Sequence, residues 1–426
     1  MNRTSGGGRS GSRVRRSLAV TAVVALSGAL AACSGGGSSG ESGVQDGSLQ
    51  MYTWIGGDSD REQWQAYIDA GAEADSDVSV TFSGPPIGDF YTKLPTILSG
   101  SDAPCIVTLQ NGQVNPYVSA LEPLGPLADA AGADLDAYDH AMIEQLSVDG
   151  ELYALPYDAT PTVVFYNKEL FQEAGADEPE LNWTTEDFLA AAEATTSDGV
   201  DGFAIGQGIT PIATLMTANG ESYVDEDRQP TLSEPALAER FQFLVDLVNE
   251  HEVASALEAS GGSFPDMDLF NTGQAAMSMN GLWALAAHRE ALGAENVGIA
   301  TVPVDTGVSH GYIAGTGFAV TQSCSDKDAA FAAIAAMTSV EAQEAVARSR
   351  SQVPSRAEAL DAWAEAIGSP QAAEVVGSLT ENGRATLTPT DLNEINLLIT
   401  QYEVNAFTGQ STVNEVLAQV EAGLGQ

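Results

Sequence analysis

An α/β fold in two domains is what this chain predicts, and three observations predict it. Strand-like and helix-like stretches alternate from residue 49 onward, the grammar of a mostly parallel sheet covered by helices. Roughly 380 residues follow a Gly/Ser-rich segment near the N-terminus, more than a single core usually accommodates. The alternation then runs a second time, less regularly, before the pattern turns nearly all helical from Asp326 to the end.

The first strand is LQMYTWI (49–55), in which Leu49, Met51, Thr53 and Ile55 share one side. GGDSD makes a turn, and the helix after it sets Trp64, Tyr67, Ile68 and Gly71 at i, i+3, i+4, i+7 spacing. VSVTF (78–82) reads as the next strand, a helix follows around 90–99, and the short apolar run CIVTL (105–109) is the third strand. In sheets of this kind ligands sit beyond the carboxyl ends of the strands, here the loops after Trp54 and Leu109.

In the second half TVVFYN (162–167) is strand-like, and Thr184 opens a helix with Asp187 three residues on, a capping-box arrangement. ALAERFQFLVDLVNEH places Leu237, Phe241, Leu244, Val245 and Val248 on one helical face. AAMSMNG (275–281), VGIATVPV (297–304) and TGFAVT (316–321) read as strands, and TVNEVLAQVEAGL (412–424) as the last helix. The GTG at 315–317 lacks the spacing of a phosphate or dinucleotide loop and reads as a packing or bend device.

Ahead of all this, Arg3, Arg9, Arg13, Arg15 and Arg16 precede an uncharged run at 18–32. That is the shape of a secretory signal peptide, and the run is shorter than the about 20 apolar residues of a spanning helix. Leu30-Ala31-Ala32-Cys33 resembles the bacterial lipobox, in which the cysteine is lipidated and becomes the first mature residue. On this reading residues 1–32 are removed, Cys33 anchors the chain to the outer face of the cytoplasmic membrane, and 33–48 is a flexible lipidated leash. The Arg15-Arg16 pair leaves a twin-arginine export route open beside the general one.

From Cys33 onward 11 Lys and Arg face 59 Asp and Glu, a charge near −48. Such a surface repels nucleic acid and anionic headgroups, and because the acids are dispersed it reads as a solvating shell before it reads as a cation trap. Catalysis finds no constellation: His140, His251, His288 and His310 stand far apart in the chain, and no nucleophile or metal motif is present. No cofactor, no metal and no enzyme activity are expected. Cys105 and Cys324 are the remaining thiols, and outside the cytoplasm they form either one disulfide or two buried free thiols.

Three segments together carry a family resemblance. GELYALPYDATPTVVFYNKELFQEAGADEPELNWTTEDFLAAA (150–192), FNTGQAAMSMNGLWAL (270–285) and FTGQSTVNEVLAQV (407–420) resemble signatures of the family 1 extracellular solute-binding proteins, the group that includes the maltose-binding protein. YTWIGGD and LPTILSGSDAPCIV agree more weakly, so the resemblance spans nearly the whole mature chain. It implies a two-lobe, periplasmic-binding-protein-like α/β fold with hinge strands and a ligand cleft between the lobes. Lobe one would hold 49–155 and 315–351, lobe two 156–314 and 352–426. Both cysteines then fall in lobe one, where a disulfide is geometrically feasible, although the family usually has Asp at position 105.

The implied function is that of a substrate-binding lipoprotein of an ABC importer, which passes a small carbohydrate to permease subunits in the membrane. Sugars present hydroxyls around an apolar ring face, so their sites want aromatic plates beside carboxylates and amides. By position in the family, Trp283 is the stacking plate, with a core tryptophan as the alternative. Asp58 is a hydroxyl partner or a helix-capping turn residue, and Asn111, with Gln110 beside it, is a polar contact on the third strand's exit loop. Tyr157 and Asp158 occupy one hinge crossing and Tyr312 the return crossing. Asn393 and Asn396 stand where relatives can place an aromatic, and the segment AIGQGITPIAT, taken as a loop, also lacks aromatics. Both point to a mono- or disaccharide. The alternative within the same fold is a polyamine or other cation held by Asp58 and Asp158. Expressed without its anchor, the chain should elute as a soluble monomer in size-exclusion chromatography; persistent aggregation would count against the two-lobe organisation.

Overall fold

Two sheets carry the fold. The computed structural model describes residues 42–45, 47–75, 79–225, 228–256, 264–305, 307–384, 388–389 and 391–424. The signal-like segment and Cys33 lie outside the described residues, which all belong to one unit, Gly40–Gln426. No described helix is long and apolar enough to cross a membrane.

The first sheet is built from β1 (Val44–Gln45), β2 (Ser48–Tyr52), β3 (Val80–Ser83) and β4 (Ile106–Gln110), with later strands added. After a short hairpin of β5 (Ser147–Val148) and β6 (Glu151–Leu152), β7 (Ala154–Pro156) joins it, and β12 (Thr316–Val320) inserts between β4 and β7. β2 pairs in parallel with β3 and β4, as strand–helix–strand succession requires, but β12 runs antiparallel to both its neighbours. The expected mostly parallel sheet is therefore mixed. The physical reason is that β7 and β12 are the chain leaving for the second sheet and returning from it, with no crossover helix on the first.

The second sheet has β8 (Thr160–Asn167) at its centre, flanked by β9 (Met277–Gly281), β10 (Val297–Ala300) and β11 (Ile313–Ala314), with every pairing antiparallel. All eight residues of β8 are buried. Alternation explains how: Val164 and Tyr166 enter one hydrophobic core, Val163 and Phe165 another on the opposite face. VGIATVPV is strand only over its first four residues, Val297–Ala300.

In the first lobe α1 (Asp58–Ala74) buries the expected stripe of Trp64, Tyr67, Ile68 and Gly71. Gly71 lies so close to Met337, at the end of the helix Lys327–Met337, that a Cβ would come within 2.7 Å of its side chain. α2 (Ile87–Leu98) covers the adjoining part of the same core with Phe90 and Leu94. In the second lobe the Thr184–Asp187 capping box forms as expected, with Asp187 N donating to Thr184 Oγ1 at 3.1 Å and Thr184 N to Asp187 Oδ2 at 2.9 Å. AIGQGITPIAT, expected as a loop, is a loop only as far as Gly208. From there α3 (Ile209–Ala218) is a helix with Pro211 tolerated in its first turn.

Three segments pass between the sheets: β7 into β8, β11 into β12, and the stretch 351–355 after the helix Val340–Arg350. Asp158 stands where they meet. Its Oδ1 accepts from Thr316 N at 2.6 Å, and its Oδ2 from Gln352 Nε2 at 2.7 Å and Thr160 Oγ1 at 3.4 Å. Gly315 has the packing role expected of the GTG, because a Cβ there would lie 2.6 Å from both the Asp158 carbonyl oxygen and Met142 Cε.

Cys105 and Cys324 form a disulfide, with Cα atoms 4.6 Å apart. They flank the paired strands β4 and β12, so the bond fastens the returning strand to the first lobe across a sequence separation of 219. Restricting so long a loop in the unfolded chain predicts a loss of about 2–5 kcal/mol when both cysteines are replaced by serine. Urea denaturation of the two forms measures it; an unchanged midpoint would mean that packing alone holds the return.

Candidate ligand-binding cleft

A cavity of about 600 Å3 opens between the two lobes. From the first lobe come Gln110, Asn111 and Gln113, at the carboxyl end of β4, the place that the topology of an α/β sheet makes available to a ligand. Thr162, Tyr312 and Ala314 line it from the crossing strands, and Met279, Asn280 and Gly281 from β9. The opposite wall is the 206–211 segment leading into α3, together with Asn393, Asn396 and Thr400 on α4 (Leu392–Phe407).

At the edge of the cavity stand two aromatics that folding has left uncovered. Trp283 is 46% exposed and Phe264 50%, with ring centroids 5.2 Å apart at 55°. The indole lies down over Gly281, where any Cβ would meet its Cδ1 and Nε1 at 2.5 Å. A large aromatic held in place yet open to solvent is a surface awaiting a flat apolar partner. The rest of the lining mixes amides and hydroxyls with the apolar Ile209, Pro211, Met279, Ala314 and Leu392; among the described residues Asp266 is its one carboxylate, and no Lys, Arg or His lines it.

Of the residues singled out from sequence, Trp283, Asn111, Tyr312, Asn393 and Asn396 are brought together around this cavity. Their polar groups are partly committed: Asn111 Nδ2 donates to Gln145 Oε1 at 2.6 Å while its Oδ1 accepts from Gly315 N at 3.2 Å. Asn396 Oδ1 accepts from Ile209 N at 3.1 Å. Gln113 Nε2 reaches across the cleft to Asn393 Oδ1 at 3.2 Å.

Asp58, Tyr157 and Asp158 are not among the lining residues. Asp58 is exposed in the first turn of α1, and it is Asp60 that accepts from the preceding loop, from Gly56 N at 2.6 Å. Tyr157 is buried among Trp64, Tyr67 and Phe318, and Asp158 spends its oxygens on the crossings. A cation gripped between Asp58 and Asp158 therefore has no seat in this cavity. Gln113, Thr162, Phe264, Asp266 and Asn280 went unrecognised in the sequence. Gln113 sits two residues beyond Asn111, and Phe264 and Asp266 directly precede the FNTGQAAM segment, so proximity to recognised motifs was the available signal.

Beneath the 206–211 wall lies Glu403, one turn beyond Thr400, whose Oε2 accepts from Gly208 N at 3.0 Å. Burial pushes its carboxyl up to about 7. Burial likewise pushes Asp158 up to about 7 against the opposing pull of its hydrogen bonds.

Comparison with known proteins adds the following. A profile of bacterial extracellular solute-binding proteins matches residues 57–344. The chain is 26% identical over 202 residues to the arabinooligosaccharide-binding protein of Halalkalibacterium halodurans, covering 45% of this chain and 43% of that one. It is 33% identical over 165 residues to the mannitol-binding protein of Pseudomonas aeruginosa, 37% of each. The chain thus spans less than half the length of these two relatives. In structure it is similar to an ABC substrate-binding protein from Listeria monocytogenes in complex with cycloalternan, with a TM-score of 0.78, 22% identity and coverage of 89% and 98%. The GacH receptor of Streptomyces glaucescens gives 0.74 at 22% identity, covering 88% and 97%. These likenesses establish the two-lobe fold.

The raised carboxyls of Asp158 and Glu403 predict a pH dependence. Each binds its proton more tightly folded than unfolded, so its contribution to stability is complete below about pH 4 and is lost as pH rises through 7. Asp158→Asn and Glu403→Gln should each flatten the fall in stability between pH 4 and 7, by up to about 1.4 kcal/mol per pH unit. Denaturation midpoints across that range measure it; parallel profiles for variant and parent would disprove the assignment.

Proposed function

This chain belongs to the bacterial extracellular solute-binding protein family, and on that footing we propose that it is the substrate-binding component of an ABC importer. It captures a small carbohydrate, a mono- or oligosaccharide, in the interlobe cleft and delivers it to permease subunits in the membrane. The observation that carries this reading is the exposed Trp283–Phe264 pair beside the amides and hydroxyls of the lining. A sugar ring lays its C–H face on an aromatic plate while its hydroxyls, each both donor and acceptor, pair with amides. The cavity volume lies within the ordinary range for small-molecule sites. Relatives named for arabinooligosaccharide and mannitol bind polyhydroxylated neutral solutes, which agrees.

Binding is followed by no bond chemistry. Closure is a hinge population shift, in which ligand favours the form where both lobes touch it. Lobe one is 49–155 with 315–351, and lobe two the remainder after the leash. Cys33 carries the lipid that tethers an exported monomer to the outer face of the cytoplasmic membrane, and the acidic surface keeps nucleic acid away.

A thermal-shift screen of residues 34–426 against arabinobiose, mannitol, N,N′-diacetylchitobiose, maltose and spermidine tests the reading. A sugar at 100 times its Kd should add about 2.7 kcal/mol to stability. Trp283→Ala should weaken that sugar roughly 10- to 100-fold, the ~1.5–3 kcal/mol that burying an aromatic side chain contributes. A shift with spermidine alone would overturn the carbohydrate reading.

A further inference from the structure

Among the described residues that line the cavity, Asp266 is the one carboxylate. Asp266 follows Phe264 by two residues, is 3% exposed, and lines the cavity from the start of the helix Pro265–Asn271. Its Oδ2 accepts from Asn280 Nδ2 at 2.6 Å, and Asn280 lines the same wall three residues before Trp283. Gly206 faces it from the other side, leaving open the space in which a Cβ would stand 3.7 Å from Oδ2. Burial raises its carboxyl while hydrogen bonds from Asn280 and from the backbone N–H groups of Asp266 and Met267 pull the other way. Among the described residues no cationic side chain lines the cavity to compensate it.

An ionised carboxylate only accepts hydrogen bonds, so what it needs from a ligand is donors. A hydroxylated neutral molecule supplies them. A ligand with its own phosphate or carboxylate brings a second negative charge to a poorly solvated site that holds no counter-charge, and like charges there repel strongly. We propose that Asp266 is the specificity-determining residue of the cleft, accepting hydrogen bonds from hydroxyls of a neutral sugar or sugar alcohol, with Asn280 fixed beside it, and excluding anionic analogues. This rests on the carbohydrate reading above and adds to it the charge class of the ligand.

The test is calorimetry of the chain from residue 34 with mannitol, galactose, arabinobiose and N,N′-diacetylchitobiose, each beside its primary-alcohol monophosphate. The parent protein should bind at least one neutral member and its phosphate at least about 100-fold more weakly. Asp266→Asn, which keeps the side-chain shape, should weaken the neutral ligand about 10-fold, as expected for losing a hydrogen bond to a charged group, and shrink the gap below about 10-fold. Asn280→Ala should weaken the neutral ligand and leave the gap wide, which separates a charge effect from a disturbed wall. A gap unchanged in Asp266→Asn, or a phosphate that binds the parent as well as the neutral form, overturns the proposal while the carbohydrate reading stands. Failure of every neutral member to bind overturns both.

Discussion

The arrangement depends on one buried carboxylate at the crossing of three chain segments. Asp158 links the outgoing strand to the returning one through Thr316 N and to the third crossing through Gln352. Removing a carboxylate from water is expensive unless it is hydrogen-bonded, and here the partners come from each segment that must be kept in register. Those bonds hold β7 and β12 side by side in the first sheet and β8 and β11 side by side in the second. Gly315 belongs to the same constraint, since a side chain at that position would push the return away from the Asp158 carbonyl.

Because the crossings lie at the floor, the cleft collects different chemistry from each wall. The first lobe contributes strand-end amides, Gln110, Asn111 and Gln113, whose backbone positions are set by pairing with β12. The second contributes the aromatic edge and a wall clamped from below, where Asn396 and Glu403 satisfy the N–H groups of Ile209 and Gly208 at the start of α3. Those two backbone donors would otherwise be orphans of a helix N-terminus without a side-chain cap at Gly208. Gln113 and Asn393 touch across the gap, and Gly112, at φ 78°, brings the loop so near Thr388 that only glycine fits. The walls are thus already in contact at one point, and a ligand has only to bridge the rest.

What could be read in advance follows from how local each feature is. Periodicity of two or 3.6 residues is written in consecutive side chains, so the stripe of α1, the strand β8 and the capping box at Thr184 were legible. Trp283 and Asn111 were legible because each sits in or beside a recognisable segment. The direction of β12 was not, since pairing sense is a relation between residues about 210 positions apart in register, Gly317 with Leu109 among them. Asp58 and Asp158 mark the same boundary: an aspartate near a strand end serves ligand, helix or hinge according to partners that arrive from elsewhere, and for Asp158 those partners are at 316 and 352.

By itself, then, the sequence determined the α/β class, the elements that periodicity marks, the acidic surface, and the residue types available to a cleft. Those are properties of short stretches and of composition. Tertiary structure alone decided that Cys105 and Cys324 are bonded, that Asp158 ties the crossing segments together, and that Asp266 stands in the cavity as the one carboxylate among the described lining residues. Each of these depends on a distance between segments remote in the chain. Long-range proximity is established only when the whole core closes.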